Sequence, residues 1–166
     1  MNSLSIRQKI LLLVFQNLKN NKKLDPIQIQ KAIFLIEKEC IENKNFAKTF
    51  NFVPYNYGPF DKDIYNDLQT LIQKNFVASE WNGNIKQYKT TEDTALFDYR
   101  NELVTHYGET FIDNVKNITD FVSNLSFDEL LNWLYNKYPE MIETENMKFK
   151  KNKIQVCEQY KQINLI

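Results

Sequence analysis

The chain has 166 residues, 43% of them hydrophobic and 14% aromatic, and its 21 lysines and arginines equal its 21 aspartates and glutamates. That length supports one compact core but not comfortably two, so a single domain with an appended tail is expected. The balanced charge, with Arg7 and Arg100 the only arginines, offers no broad field to draw in DNA or an anionic membrane.

Ser3 or Ser5 is placed to cap a first helix carrying Ile6, Ile10, Leu13, Val14 and Leu18 at helical spacing. Its apolar run, Ile10 to Phe15, is followed by QNLKNNKK and has no small-residue cleavage site. It therefore reads as a core helix rather than a signal, and no run approaches transmembrane length. Asp25-Pro26 is an N-cap followed by proline at the first helical position, opening a second helix with the stripe Ile29, Ile33, Ile36 and Cys40. The first two helices should pack together.

Asp61 is placed to cap a third helix with Ile64, Leu68, Leu71 and Ile72 facing inward. Residues 76–81 and 85–90 flank Asn82-Gly83, the dipeptide that supplies both positive-φ residues of a type I′ hairpin turn. Thr91 or Thr94 opens a fourth helix with Ala95, Leu96, Tyr99 and Leu103, ended by Gly108. Phe111, Val115, Ile118 and Val122 mark a fifth helix. Ser126 and Glu129 form a capping box for a sixth, with Leu130, Leu131, Leu134 and Tyr138, closed by Pro139. Ile33, Ile36, Leu68, Leu71, Leu130 and Leu134 are the predicted core. The predicted fold is mainly α: a winged helix-turn-helix-like core with one β-hairpin around 76–90, plus additional C-terminal helices, all within residues 1–140. Residues 141–166 form a lysine-rich tail or last helix.

The segment FVPYNYGPFDKDIYNDL at 52–68 concentrates prolines, aromatics and aspartates. Each proline restricts its predecessor, Val53 or Gly58, to extended backbone, so 50–60 should cross between helices as extended chain. Phenylalanines there are most simply packed under the helices, whereas a tyrosine with a wet hydroxyl also suits a protein interface. Asp61 and Asp63 are explained by the positive end of the third helix; Asp67 has no assigned role. With no further oxygen ligand at a recognisable spacing, no metal site is expected.

KAIFLIEKE at 31–39, FVPYNYGPF at 52–60 and IYNDLQTLIQKNFV at 64–77 together resemble the Panacea type of small bacterial and phage proteins, the SocA-like antitoxin domain and its relatives. The YGPF core stands at Tyr57, Gly58, Pro59 and Phe60, and the DLxxL motif at Asp67, Leu68 and Leu71. Asp61 replaces the usual serine and Asn75 the customary glycine, swaps that preserve capping and tolerate left-handed backbone respectively. NLSFDELLNWLYNKYPE at 124–140 is similar to the family's closing helix. The resemblance spans residues 5–140. It implies a helical, winged-helix-like domain found beside toxins and in mobile elements, whose members neutralise a toxin by binding it or by presenting it to a protease.

Three functions compete. A protein-interaction module, an antitoxin or regulatory adaptor with a toxin encoded nearby as partner, would dock through Tyr55, Tyr57, Phe60 and Tyr65, with Lys62 and Asp63 as rim charges. A winged-helix DNA regulator would use Lys62, Asn66, Gln69, Gln73, Lys74, Lys86 and Lys89, with Asn66 and Gln69 able to read adenine. Against it, the lysines at 62–89 are offset by Asp61, Asp63, Asp67 and Glu80, which leaves little for phosphate neutralisation. An enzyme is the weakest reading. His106 is the only histidine and has no neighbouring nucleophile motif, three glycines leave no phosphate loop, and no cofactor is implied. Cys40 and Cys157 stand far apart without CxxC spacing, which fits neither a zinc site nor a disulfide framework and suits a reducing cytosol.

Overall fold

The computed structural model describes residues 3–92 and 98–142. It is mainly helical with two small antiparallel hairpins. Helix α1, Ile6–Gln16, begins at Ser5, whose hydroxyl accepts from the Gln8 amide while the Gln8 side chain returns a bond to the Ser5 amide. Helix α2, Pro26–Leu35, starts with the same reciprocal box between Asp25 and Gln28. These boxes satisfy backbone donors that a helix start otherwise leaves without partners. Beyond Leu35 the helix widens into a π-helical turn, Ile36–Ile41, and tightens again over Glu42–Lys44.

Helix α2 is the centre of the molecule, and every residue from Ile29 to Glu37 is buried. It packs against α1, against helix α5, Phe111–Asn124, and against the first hairpin. Helix α3, Ile64–Gln73, lies on α1, and helix α4, Arg100–Tyr107, rests on α1 and α5. Helix α6, Phe127–Lys137, opens with the Ser126–Glu129 box and ends where Pro139 starts a 3₁₀ turn, Pro139–Met141. Ile33, Ile36, Leu68, Leu71, Leu130 and Leu134 are all buried.

Four local expectations are corrected. The extended crossing at 50–60 is a second hairpin, β1 Val53–Tyr55 with β2 Gly58–Phe60, in which the two prolines face each other in register. Each proline lacks only a donor and keeps its carbonyl, so a ladder this short tolerates them. The predicted hairpin is β3 Val77–Asn82 with β4 Ile85–Thr90, but Asn82 pairs with Ile85 and the turn is Gly83-Asn84. Only Gly83 has positive φ there, at 60°, which is the requirement of a type II′ turn with glycine first rather than of type I′. Helix α3 begins three residues after Asp61, whose carboxylate accepts from the Asp63 amide at 2.9 Å in the turn before it, and Asp63 at the N-cap position makes no side-chain cap. Helix α4 starts at Arg100; Thr94, Ala95 and Leu96 lie outside the described residues, as does the tail beyond Ile142.

Asn75, which follows α3, has φ 62°, the left-handed conformation that asparagine accepts more readily than most residues. The second hairpin is tied to the entrance of α2 because Leu24 and Tyr88 exchange both backbone hydrogen bonds at 2.9 Å. The first hairpin is tied at its other side by a parallel bridge from Tyr55 to Ile142.

Candidate functional site

An extended segment pressed against a helix cannot satisfy its inward-facing backbone groups by itself, and leaving them unpaired is costly. Between Thr49 and Asp61 several of them pair with polar side chains from α1, α2 and the π-helical turn that follows it, and with the side chain of Asp61 itself. The Glu37 carboxylate accepts from the Thr49 amide at 3.1 Å and the Phe50 amide at 3.0 Å. Arg7 Nη1 donates to the Thr49 carbonyl at 3.2 Å, and Asp61 Oδ2 accepts from the Asn51 amide at 2.9 Å. The Gln30 side-chain amide brackets the Asp61 backbone, accepting from its N–H at 2.9 Å and donating to its carbonyl at 3.0 Å. Lys31 Nζ donates to the Pro59 carbonyl at 2.9 Å.

Arg7 and Asp61 are themselves paired, whereas Lys31 and Glu37 bond to backbone groups. Arg7 reaches Asp61 through Nη1 at 3.0 Å and Asp67 through Nε at 2.9 Å, with its guanidinium 4.5 Å from the centre of the Phe50 ring. Asp67 thus has its role: it is the second counter-charge for Arg7. Burial still raises the Asp67 carboxyl above its usual range, against the pull of Arg7. Burial likewise raises Glu37, opposed by the two backbone donors. Lys31, 2% exposed, is pushed down to about 7 by desolvation, which the Asp25 charge only partly offsets. Above it, Gly58 has φ 88°, and a Cβ there would stand 3.1 Å from Tyr135 Cε1. Glycine is therefore required twice over, by backbone conformation and by the close approach of α6.

The outward side of the same segment is aromatic. Tyr55, Tyr57 and Tyr65 are 48%, 47% and 42% exposed. Tyr55 stacks on Phe60 with centroids 4.9 Å apart, and Phe60 lies 5.9 Å from Tyr65, so these three form a row with half-buried Phe60 in the middle. Lys62 and Asp63 are exposed at the start of α3, beside that row. Tyr57 belongs to a different cluster, edge-on to Phe127 at 5.7 Å. Three exposed apolar residues absent from the sequence-derived site, Trp81, Ile85 and Phe127, join Tyr57 around one groove. Their signal was present but disguised, since Trp81 and Ile85 read as ordinary strand positions and Phe127 as the inside of a capping box.

The residues considered for DNA divide differently. Lys62 is exposed just before α3 and Asn66, Gln69 and Gln73 are exposed along it, while Lys74, Lys86 and Lys89 are half-buried. Lys89 pairs with Glu80 at 2.8 Å, Lys23 binds the same carboxylate, and Lys86 lies 5.6 Å from the centre of the Tyr88 ring. The hydrogen bonds from Lys23 and Lys89 bring Glu80 down to about 2. The cations of the second hairpin are thus engaged with the protein itself.

His106 is exposed in the last turn of α4, beside an open hollow lined by Ile6, Asn101, Glu102 and Thr105. Cys40 is buried, and burial pushes its thiol up to about 12, away from nucleophilic use. Among the described residues no group of three or more His, Cys, Asp or Glu is placed to hold a metal ion. No helix among them is long and apolar enough to cross a membrane. Comparison of the chain with protein-family models and with curated proteins finds no match.

Proposed function

We propose that this chain is a non-enzymatic protein-interaction module that docks a polypeptide partner on the Tyr55–Phe60–Tyr65 row, with Lys62 and Asp63 at its rim and Tyr57 at its far side. The observation that carries this reading is the contrast across residues 49–61: a backbone pinned by buried polar side chains presents exposed tyrosine rings. Pre-organised aromatic side chains lose little entropy on binding and supply large, amphipathic contact area. The resemblance in the KAIFLIEKE, YGPF and DLxxL stretches adds the biological setting, a cytosolic antitoxin or regulatory adaptor of a bacterial toxin–antitoxin or phage-conflict locus. The succession of α1, α2, α3 and the β3–β4 hairpin, with the short β1–β2 hairpin inserted between α2 and α3, supports a winged-helix description of the core.

One observation favours a second reading. Asn66, Gln69 and Gln73 lie exposed on α3 next to the β3–β4 hairpin, the placement a DNA-reading helix and its wing would have. The Lys23–Glu80–Lys89 cluster weighs against it, because those ammonium groups already have a carboxylate.

Co-expression with the product of the adjacent gene tests the proposal. Wild-type protein should relieve that product's toxicity and co-purify with it, whereas the double substitution Tyr55→Ala, Tyr65→Ala should do neither while remaining folded. A harmless neighbour removes the antitoxin form of the proposal; rescue that ignores both tyrosines removes the docking site.

A further inference from the structure

Away from the Tyr55–Phe60–Tyr65 row, the exposed apolar side chains Tyr57, Trp81, Ile85 and Phe127 surround a groove of about 610 Å³ between the first turn of α2 and the tip of the β3–β4 hairpin. Trp81 is 68% exposed and so adds little to the described core. A contiguous apolar surface of this kind marks a contact. Its charged lining is balanced, Asp25 against Lys86. Both are already engaged, Asp25 as the N-cap of α2 and Lys86 against the Tyr88 ring. The groove therefore suits a cover that brings apolar side chains and no net charge.

The path of the chain supplies such a cover. Ile142 forms a parallel bridge with Tyr55, so the residues after it set out in the direction that β1 takes toward Asn56 and Tyr57. Tyr57 is at most about 7 Å of extended backbone from Tyr55, and it already forms one wall of the groove, edge-on to Phe127. Residues 143–153, with Lys148, Lys150, Lys151 and Lys153 among them, can reach more than about 30 Å when extended. The stretch that follows, IQVCEQYKQINLI at 154–166, holds Ile154, Val156, Tyr160 and Ile163, and its only charged side chains, Glu158 and Lys161, cancel. A segment tethered this closely is present at about millimolar effective concentration, well above the level of most free partners.

We infer that residues 154–166 follow the path begun by the Tyr55–Ile142 bridge and cover the Tyr57–Trp81–Ile85–Phe127 groove of the same chain. The groove is then an internal contact, and the Tyr55–Phe60–Tyr65 row, which lies outside its lining, stays exposed. The inference does not rest on the docking proposal.

The test is acrylamide quenching of Trp81 in the full chain, with Trp133→Phe leaving Trp81 as the one tryptophan. Trp81 should be shielded. Combining Ile154→Ser, Val156→Ser, Tyr160→Ser and Ile163→Ser should raise its quenching several-fold while the NMR signals of α4 and α5 stay in place. A nitroxide on Cys157 identifies the occupant, because Cys40 is buried and does not compete for the label. It should broaden the Trp81 indole and Ile85 signals within one molecule and spare those of His106. Trp81 as open to acrylamide in the parent chain as in the serine variant would overturn the inference, as would a nitroxide that leaves the Trp81 indole sharp. So would broadening that arises when spin-labelled chains are mixed with unlabelled, isotope-enriched ones, which indicates a second copy. Loss of the α4 and α5 signals in the serine variant would overturn it too, since residues 154–166 would then belong to the core.

Discussion

The inner and outer sides of residues 49–61 are made of opposite materials. Inward, Arg7, Gln30, Lys31, Glu37 and Asp61 hold the backbone, and four of the five are fully buried. Outward, Tyr55 and Tyr57 stand almost half exposed. A hydrophobic underside would have placed the segment more cheaply, since buried charges cost desolvation and gain stability only when well paired. What directional hydrogen bonds add is a fixed backbone position, and that is what a surface for recognition requires.

Breaking the inner side should give the largest effects. Arg7→Leu leaves Asp61 and Asp67 buried without their counter-charge, and should cost about 3–5 kcal/mol in chemical denaturation. Adding Asp67→Asn to that variant should recover part of the loss, because one of the two stranded charges is gone. Next comes Gly58→Val, with positive φ and a Cβ pressed on Tyr135; it should cost about 3 kcal/mol, read by the same measurement.

Lys31 gives a pH signature. Its folded pKa of about 7 lies below the ordinary value of 10.5, so between them the unfolded chain holds the extra proton and rising pH favours the folded state. Stability should rise by about 2 kcal/mol from pH 7 to pH 9, and Lys31→Met should flatten that rise. The opposite sign applies to Tyr135 and Cys40, each raised by burial to about 12. The unfolded forms of these groups ionise first, so stability should fall again above pH 9 to 10. Unchanged pH dependence in Lys31→Met would remove this account of the buried ammonium. The smallest effect belongs to the outer side: Tyr55→Ala and Tyr65→Ala should change stability by no more than about 1 kcal/mol.

The same division explains what could be read from sequence. The caps at Asp25 and Ser126 and the helix-ending Gly108 depend on neighbours within a few residues, and local pattern reveals them; the choice of Ser5 over Ser3 and the positive φ of Gly58 appear only in the structure. The partnership of Arg7 with Asp61 and Asp67 spans more than fifty positions and has no local mark, so Asp61 read as a helix cap and Asp67 as unexplained. Lys31 and Glu37 have no local mark either, because only the chain passing over them supplies their partners. For the candidate surface, Tyr55 and Tyr65 could be nominated from residue type alone. Trp81, Ile85 and Phe127 could not, because their meeting with Tyr57 depends on how the second hairpin folds back on the start of α2. The pairing of Lys23 and Lys89 with Glu80 was equally hidden.

Calorimetric titration of the purified product of the adjacent gene into wild-type protein and into the Tyr55→Ala, Tyr65→Ala variant tests the central claim most directly. The account predicts binding that weakens at least about a hundredfold in the variant, since two aromatic anchors are removed, with little change in its melting temperature. Equal binding by the two proteins would contradict it, as would weakened binding that is matched by a general loss of folding.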